Sequence, residues 1–256
     1  MLHIGKVPGY FDRGKQKGNT MIFGAILAGG TGQRMKNDSL PKQFLELCGK
    51  PIIIHTLEKF WTCTRFDAVY LGIHKDWIDY MLDLIRRFLP DQKDQVIVVC
   101  GGEDRNSTLF NVIDRVEKDH GVSEEHIIVT HDAVRPFVTL RMIEENIDAA
   151  VKYGAADTVI PAVDTIICSN DGKTIASVLD RRQLYQVQTP QSFQISLLKN
   201  LYGTLSEEER GLLTDACSIC TVRNQPVHLV EGSDTNIKIT TPGDLKIAQA
   251  MMEAGA

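Results

Sequence analysis

Short apolar runs alternate along this chain with longer amphipathic stretches. The apolar runs are IFGAILA (22–28), AVYLGI (68–73), QVIVVC (95–100) and HIIVT (126–130). The amphipathic stretches between them cover 51–60, 77–89 and 106–118. Strands that are apolar throughout are typical of parallel sheets, because crossover helices bury both faces of such sheets. The pattern therefore predicts an α/β fold with a doubly wound, mainly parallel sheet, whose ligands bind beyond the carboxyl ends of the strands.

One segment of the second half departs from this pattern. Residues 158–178 alternate between apolar and polar side chains and contain a turn sequence at Asn170, Asp171 and Gly172, which predicts a projecting β-arm. The other elements expected are helices at 138–153, 191–203 and 206–221, strands at 226–231 and 236–240, and a closing helix capped by Thr241. We expect one domain over 21–256. Its arm, about 157–182, would cover its apolar side chains against a second copy of the chain.

Charge and composition exclude several classes of protein. The chain has 28 Lys plus Arg against 33 Asp plus Glu, whereas proteins that bind nucleic acid usually carry a basic excess. No run approaches the roughly 20 continuous apolar residues of a membrane helix.

Residues 1–20 lack the apolar core of a signal peptide and are expected to form a disordered extension or a non-native start. The six cysteines, without an export signal, favour reduced thiols and a cytoplasmic protein.

The glycine-rich run LAGGTGQRM (27–35) follows the first strand. Its glycines allow backbone N–H groups to approach an anion closely. The run is not the dinucleotide-binding fingerprint, which requires glycine where Met35 stands, nor a Walker A sequence. A tight strand-to-helix turn is the alternative, but Arg34 favours a phosphate site. Lys42 follows Arg34 by eight residues, so the two cations could converge on one triphosphate; otherwise Lys42 is a solvated surface charge.

Two further segments follow predicted strands. In THDAVRPF (130–137), Asp132 could bind Mg²⁺ or orient a hydroxyl, while Arg135 could hold a phosphate or simply pair with Asp132. His131 is interpreted as a packing residue. In GGEDRNST (101–108), a helix begins whose first turn could bind an anion or a nucleobase edge, although an ordinary capped helix explains it equally well.

Two remaining features are a lysine in a predicted strand and a pair of closely spaced cysteines. Lys238 lies in the predicted strand NIKIT (236–240), where an inward lysine needs an anionic partner. Cys217 and Cys220 form a C-x-x-C in a predicted helix without a second ligand pair, which favours buried helix cysteines over a zinc site.

Six motifs, in order along residues 21–253, resemble the cytidylyltransferases that join CTP to a small polyol phosphate: LAGGTGQRM, PKQF, GGEDRNST, HDAVRPF, TPQSF and NIKITTPGDL. This family has a methylerythritol-phosphate branch and a ribitol-5-phosphate branch. ILAGG, GGEDRN, LYQVQTPQSF and LTDACSIC look more like the ribitol-phosphate branch, whereas GSDTNIKIT and LDRRQLY have methylerythritol-type character. We therefore expect D-ribitol 5-phosphate as the acceptor, with 2-C-methyl-D-erythritol 4-phosphate as the alternative.

The resemblance implies a Rossmann-like fold of the nucleotide-diphosphosugar-transferase type, a Mg²⁺ requirement, and a homodimer whose arms reach the partner's site. It implies catalytic roles for Arg34, Lys42 and Lys238. The implied CTP contacts are Leu27, Ala28, Gly29, Gly30, Thr31, Gly32, Gly102, Arg105 and Ser107. The implied acceptor contacts are Asp132, Arg135, Thr165, Arg181 and Thr189, with Asp132 also the metal ligand. Two adjacent arginines, at 181 and 182, could supply the acceptor contact, and the spacing from Tyr185 favours Arg181 for it.

Two other classes fit less well. An NAD-dependent oxidoreductase would need glycine in place of Met35 and an acidic ribose-binding residue after the second strand. A nucleotide-binding regulator without catalytic activity would not need the cations Arg34, Lys42 and Lys238.

Overall fold

The computed structural model describes residues 20–29, 40–92 and 95–255. Its strands are β1 Ile22–Ala28, β2 Glu46–Leu47, β3 Lys50–Pro51, β4 Ala68–Ile73, β5 Val96–Cys100, β6 Ile127–Asp132, β7 Ala155–Pro161, β8 Ile167–Cys168, β9 Ser177–Val178, β10 Tyr185–Gln194 and β11 His228–Glu231. Its α-helices are α1 Ile52–Trp61, α2 Ile78–Phe88, α3 Arg105–His120, α4 Leu140–Tyr153, α5 Ile195–Gly203, α6 Glu207–Gly211, α7 Cys217–Val222 and α8 Pro242–Glu253. Residues 1–19 of the extension predicted at 1–20 lie outside the described residues, as do four predicted site residues, Gly30, Thr31, Gly32 and Arg34.

Seven strands form one sheet in the order β11-β7-β10-β6-β1-β4-β5. All neighbouring pairs are parallel except the two that involve β10, which runs antiparallel to β6 and β7. The predicted α/β fold with a doubly wound, mainly parallel sheet is therefore confirmed. The carboxyl ends of β1 and β6 lie side by side in the middle of this sheet, where a doubly wound fold places its ligands.

Alternating side chains of β1 explain why helices cover both faces of the sheet. Phe23, Ala25 and Leu27 pack in one buried cluster with α3, α5 and α7. Ile26 and Ala28 point the other way, into a cluster with α1, α2 and α4. Because successive side chains of a strand point to opposite faces, an apolar strand of this kind is stable only between two helical layers.

Two helix predictions needed correction. Residues 191–194, predicted as helix, extend β10, because Gln191, Ser192 and Phe193 pair with β6 on one side and β7 on the other. The single helix predicted at 206–221 is two short helices, α6 and α7. Residues 212–216 separate the two helices. Within this break, Asp215 Oδ1 accepts hydrogen bonds from Ser218 N at 2.9 Å and Ser218 Oγ at 2.5 Å, which stabilise the first turn of α7.

The predicted strand at 236–240 is also wrong: these residues form an irregular segment that ends at α8. Instead of a ladder, Asn236 N and Ile237 N bond to the nearby carbonyls of Ser233 and Thr235, and Ile239 N bonds to Val134 O at 2.9 Å. The start of α8 is as predicted, since Thr241 caps it in a capping box with Asp244 and Pro242 opens the first turn.

The arm is a hairpin of β8 and β9 between β7 and β10. Its turn includes Gly172 at φ +68°, a conformation that glycine adopts without strain, as the sequence predicts. The predicted arm boundary at 157 is too early, because residues 157–161 pair within the main sheet and the arm begins after Pro161. Among the described residues, no helix has the length and apolar character needed to cross a membrane.

Candidate functional site

A cleft opens at the carboxyl ends of β1 and β6, beside the first turn of α3. Its walls come from the end of β1, the segment at 42–43, the start of α3, the end of β6, and the segment before α8. The lining residues are Leu27, Ala28, Gly29, Lys42, Gln43, Glu103, Asp104, Arg105, Thr108, Asp132, Ala133, Val134 and Lys238. Seven of these residues were predicted as site residues from the sequence: Leu27, Ala28, Gly29, Lys42, Arg105, Asp132 and Lys238.

Asp132 is the centre of charge in this cleft. Arg105 Nε donates to its Oδ1 at 3.3 Å, and Lys238 Nζ lies 2.8 Å from its Oδ2. Arg135 Nε is 3.7 Å from the same Oδ2. Burial alone would raise the pKa of Asp132, but the charges of Arg105, Lys238 and Arg135 hold that pKa well below its usual range. The carboxylate is therefore ionised, and Lys238 has the anionic partner that the sequence required.

This cluster carries more positive than negative charge. Among the described residues, Asp132 is the carboxylate that forms ion pairs with Arg105, Arg135 and Lys238, although Glu103 and Asp104 also line the cleft. Arg105 Nη1 and Arg135 Nε are buried, and neither atom has a hydrogen-bond partner among the residues that the structure describes. The Lys238 side chain is 42% exposed, so its ammonium group faces the open cleft. An excess of cations around one carboxylate favours an anionic ligand over a cationic one.

Asp132 is a poor ligand for Mg²⁺ in this arrangement. Magnesium prefers octahedral oxygen ligands and usually combines one or two carboxylates with substrate phosphates. Both oxygens of Asp132 already contact cationic groups, which would repel a divalent ion. The residues at this position therefore fit a salt-bridged carboxylate better than a resident metal site.

Lys42 is held beside the end of β1 by its neighbour. Lys42–Phe44 form one turn of 3-10 helix, and the buried Gln43 donates from Nε2 to the Ala28 carbonyl at 3.0 Å. This bond fixes the turn against the strand, so that the Lys42 side chain lines the cleft. Sequence reasoning missed Gln43, although it lies next to Lys42 in the PKQF motif.

The first turn of α3 places Thr108, rather than Ser107, in the cleft wall. Ser107 and Asp104 form a capping box, so the Ser107 hydroxyl is used within the helix start. Thr108 Oγ1 accepts from Gly102 N at 3.0 Å. Because Arg105 and Thr108 are three residues apart in a helix, they share a face. That spacing could have identified Thr108 from the sequence.

Behind Asp132 lies a buried hydrogen-bond chain. Asp132 N donates to Thr189 Oγ1 at 3.2 Å, and Thr189 Oγ1 is 2.9 Å from His131 Nδ1. His131 Nε2 donates to the Arg135 carbonyl at 3.0 Å, so Thr189 must donate to Nδ1 of a neutral ring. Burial lowers the pKa of His131 to about 4. His131 is therefore a satisfied packing histidine, as expected, and Thr189 contributes its hydroxyl behind the cleft rather than to its wall.

Thr165 and Arg181 lie on the arm, outside the described lining of this cleft. Arg181 Nη1 donates to the Val163 carbonyl at 3.0 Å, and Arg182 pairs with Asp180. Gly102 is also outside the described lining. A Cβ at Gly102 would lie 2.5 Å from Ser107 Cβ, so glycine permits the close packing on α3. The predicted roles of these residues remain predictions.

A second group of potential metal ligands lies between β7 and α7. Asp157, Asp215 and Cys217 each place one potential ligand atom here, and these three atoms lie within 4.8 Å of one another. Gln191 Nε2 donates to Asp157 Oδ1 at 3.1 Å and to Asp215 Oδ2 at 2.6 Å. Burial raises the pKa of the Cys217 thiol well above its usual value. These hydrogen bonds and a protonated thiol satisfy the group without a cation, and both cysteines of the C-x-x-C are buried as expected.

Comparison with known proteins supports the sequence resemblance. The family model described as IspD, 2-C-methyl-D-erythritol 4-phosphate cytidylyltransferase, matches residues 22–254. The fold is similar to that of a 4-diphosphocytidyl-2C-methyl-D-erythritol synthase from Anaerococcus prevotii, with a TM-score of 0.75 and 24% identity over 91% of this chain and 96% of that chain.

Two other solved structures are similar at slightly higher identity. The 2-C-methyl-D-erythritol 4-phosphate cytidylyltransferase of Thermus thermophilus has 26% identity and a TM-score of 0.70, covering 91% of this chain and 100% of its own. The enzyme of the same name from Francisella tularensis has 26% identity and a TM-score of 0.72, covering 90% of this chain and 99% of its own.

Proposed function

The chain belongs to the 2-C-methyl-D-erythritol 4-phosphate cytidylyltransferase family and is a nucleotidyltransferase that acts on a phosphorylated polyol, and we propose that the cleft around Asp132 is where it transfers CMP from CTP. The observation that carries this proposal is the excess of cations around a single carboxylate at the carboxyl ends of β1 and β6. Two anionic substrates must be brought together for the transfer, and cations aimed at the reacting phosphates can do this.

In the proposed reaction, a phosphate oxygen of the acceptor forms a bond to the α-phosphorus of CTP. The bond from that phosphorus to the bridging oxygen breaks, and pyrophosphate leaves with the electron pair. An acceptor phosphate that is already ionised needs no base and no nucleophilic side chain. Catalysis then depends on positioning and on charge stabilisation, which are worth several kcal/mol in a closed site.

The described cations divide between the two substrates by position. Lys42 stands beside the end of β1 and would hold the triphosphate, together with Arg34 of the glycine-rich run. Lys238 and Arg135 meet at Asp132 on the other side and would hold the acceptor phosphate. Asp132 holds these two cations close together, because both contact its Oδ2. Arg105, which also contacts Asp132, would stabilise charge between the substrates.

Mg²⁺ is proposed to enter with the triphosphate rather than on Asp132. Phosphate oxygens are its usual partners in nucleotide-dependent enzymes, and they offer it negative charge that the Asp132 cluster does not. Its chemistry would be to neutralise charge on the pyrophosphate that leaves.

The acceptor that the comparisons favour is 2-C-methyl-D-erythritol 4-phosphate, since the family and its solved members carry that name. D-Ribitol 5-phosphate is a second candidate, supported by ILAGG, GGEDRN, LYQVQTPQSF and LTDACSIC. The two acceptors share a phosphorylated polyol chain, so the cations around Asp132 serve either one. The choice must depend on contacts with the carbon chain and its hydroxyls.

The arm is proposed to complete the site in a homodimer. It exposes large apolar side chains, among them Val163, Ile175 and Val178, each at least 60% exposed. A two-fold partner is the commonest way to cover such side chains. Thr165 and Arg181 lie on the same arm and would reach the acceptor of the partner subunit.

The experiment that decides the acceptor is a pyrophosphate-release assay with CTP and Mg²⁺. The two phosphorylated polyols are compared at equal concentrations, and glycerol 3-phosphate is the control acceptor. A kcat/KM at least about 100-fold higher for one acceptor assigns it as the substrate. Release of no pyrophosphate with any acceptor would contradict the proposed site chemistry.

A further inference from the structure

Lys238 reaches Asp132 from a segment without regular secondary structure. Residues 232–241 connect β11 to α8 and contain neither helix nor strand. Yet Lys238 Nζ lies 2.8 Å from Asp132 Oδ2. Holding a long side chain on an irregular segment in one place costs conformational entropy. Other contacts of this segment must therefore fix its backbone.

Asn236, two residues before Lys238, makes those contacts. The residue is fully buried. Its Nδ2 donates to the Thr189 carbonyl at 2.9 Å and to Gln188 Oε1 at 3.0 Å. Its own carbonyl accepts from Arg135 Nη1 at 2.6 Å. Asn236 thus joins the three chain segments that present Arg135, Thr189 and Lys238.

The flanking residues set the direction in which Lys238 points. Ile239 is fully buried, and Ile237 packs against the same apolar cluster, which includes Val134 and Phe137. The hydrogen bond from Ile239 N to Val134 O, at 2.9 Å, attaches the segment to the chain just after β6. With the side chains on either side directed into the core, Lys238 is left to face Asp132.

We propose that Asn236 is a positioning residue for the acceptor-phosphate site, acting through Arg135 and Lys238. This inference rests on the proposed function, because it assumes that these two cations bind the acceptor. Asparagine suits the position because it supplies two N–H donors at short reach. Aspartate would place oxygen against the two acceptor oxygens, and glutamine would be one methylene too long. The contacts described for Asn236 run to the segments of Arg135 and Lys238 rather than to that of Lys42, so CTP binding should depend on Asn236 much less.

The test compares Asn236→Ala with Asn146→Ala in the full-length enzyme. Asn146 is the matched control, since it is also fully buried and donates from Nδ2 to Met142 O at 3.0 Å and Thr158 Oγ1 at 2.7 Å, away from the cleft. Both variants leave buried acceptors unpaired and should lower Tm. Only Asn236→Ala should raise KM for the acceptor, by about 10-fold or more, while KM for CTP stays within about twofold.

A double variant separates positioning from general loosening. In a Lys238→Met background, Asn236→Ala should raise the acceptor KM much less than it does in the wild type, because one of the cations that it positions is already gone. If Asn236→Ala does not fold, Asn236→Ser takes its place, since serine adds no charge and its hydroxyl supplies one donor at shorter reach in place of two.

The possible results are distinguishable. Three results would overturn the role of Asn236 and leave the proposed function standing. In the first, Asn236→Ala changes KM for CTP as much as KM for the acceptor. In the second, its acceptor KM equals that of Asn146→Ala, and in the third its effect is undiminished in the Lys238→Met background. A wild type that releases no pyrophosphate with either acceptor would overturn the proposed function and the role of Asn236 together.

Discussion

Replacing Asp157 by Asn should change how the stability of this protein depends on pH. Burial and the neighbouring charge of Asp215 raise the pKa of Asp157 from 3.8 to about 7. Between those values the native state holds a proton that the unfolded chain has released, so this residue makes stability fall as pH rises. With each pKa unit worth about 1.4 kcal/mol, the whole effect is about 4 kcal/mol.

His131 works in the opposite direction in nearly the same range. Burial lowers its pKa from 6.5 to about 4, so the unfolded chain binds a proton that the native state refuses, and stability rises with pH across that interval. The two residues therefore partly cancel in the wild type. In Asp157→Asn the contribution of His131 is no longer opposed by Asp157, and His126, whose pKa burial also lowers, acts in the same direction as His131. Stability should therefore rise from pH 4.5 to pH 6.5 by on the order of 1 kcal/mol per unit.

The assay is urea unfolding followed by circular dichroism, on the wild type and the variant at several pH values from 4.5 to 7.5. The free energy of unfolding of Asp157→Asn, relative to the wild type, should increase by about 1.4 kcal/mol per pH unit until it levels off above the native pKa. Asp164→Asn, which changes an exposed carboxylate on the arm, is the control for the loss of one carboxylate. A pH-independent difference for Asp157→Asn would show that the buried carboxyl stays ionised and would refute this reasoning.

Three further predictions concern the site. Lys42→Ala should lower kcat by about 100-fold without unfolding the protein. The control is Lys246→Ala, which removes an exposed lysine on α8 and should leave kcat unchanged. Near-normal turnover of Lys42→Ala would make Lys42 an ordinary surface charge. Mixing inactive Lys42→Ala and Arg181→Ala chains should restore part of the activity if the arm completes the partner's site, and a fully active monomer in sedimentation would exclude that. Asp132→Asn should weaken acceptor binding but leave the Mg²⁺ concentration for half-maximal rate unchanged; a large shift in that concentration would make Asp132 a metal ligand.

The sequence predicted the sheet well because the signal for buried strands is local. The apolar runs at 22–28, 68–73 and 126–130 are bounded by turns and match β1, β4 and the start of β6. The same reasoning failed at Gln191, Ser192 and Phe193, where pairing with two neighbouring strands overrides a helical pattern. Such pairing depends on residues far away in the chain and cannot be seen in a short window.

The candidate site was predictable to a similar degree. Motifs after strands located Lys42, Arg105 and Asp132, and Lys238 was identified as an inward lysine in need of an anionic partner. The structure brings all four to one cleft. The function of Asn236 was not predictable, because its partners Gln188 and Arg135 are 48 and 101 residues away in sequence. A buried amide that joins three segments leaves no periodic pattern, and its contacts appear only once the chain is folded.

The measurement that tests the site most directly is a product analysis by ³¹P NMR, using the preferred acceptor, CTP and Mg²⁺ with the wild type and with Lys238→Met. The wild type should form one diphosphate-linked CMP–polyol product for each pyrophosphate released, and Lys238→Met, folded to the same extent, should form it at least about 100-fold more slowly. Free CMP as the main product, or full activity in Lys238→Met, would contradict transfer at the Asp132 cleft.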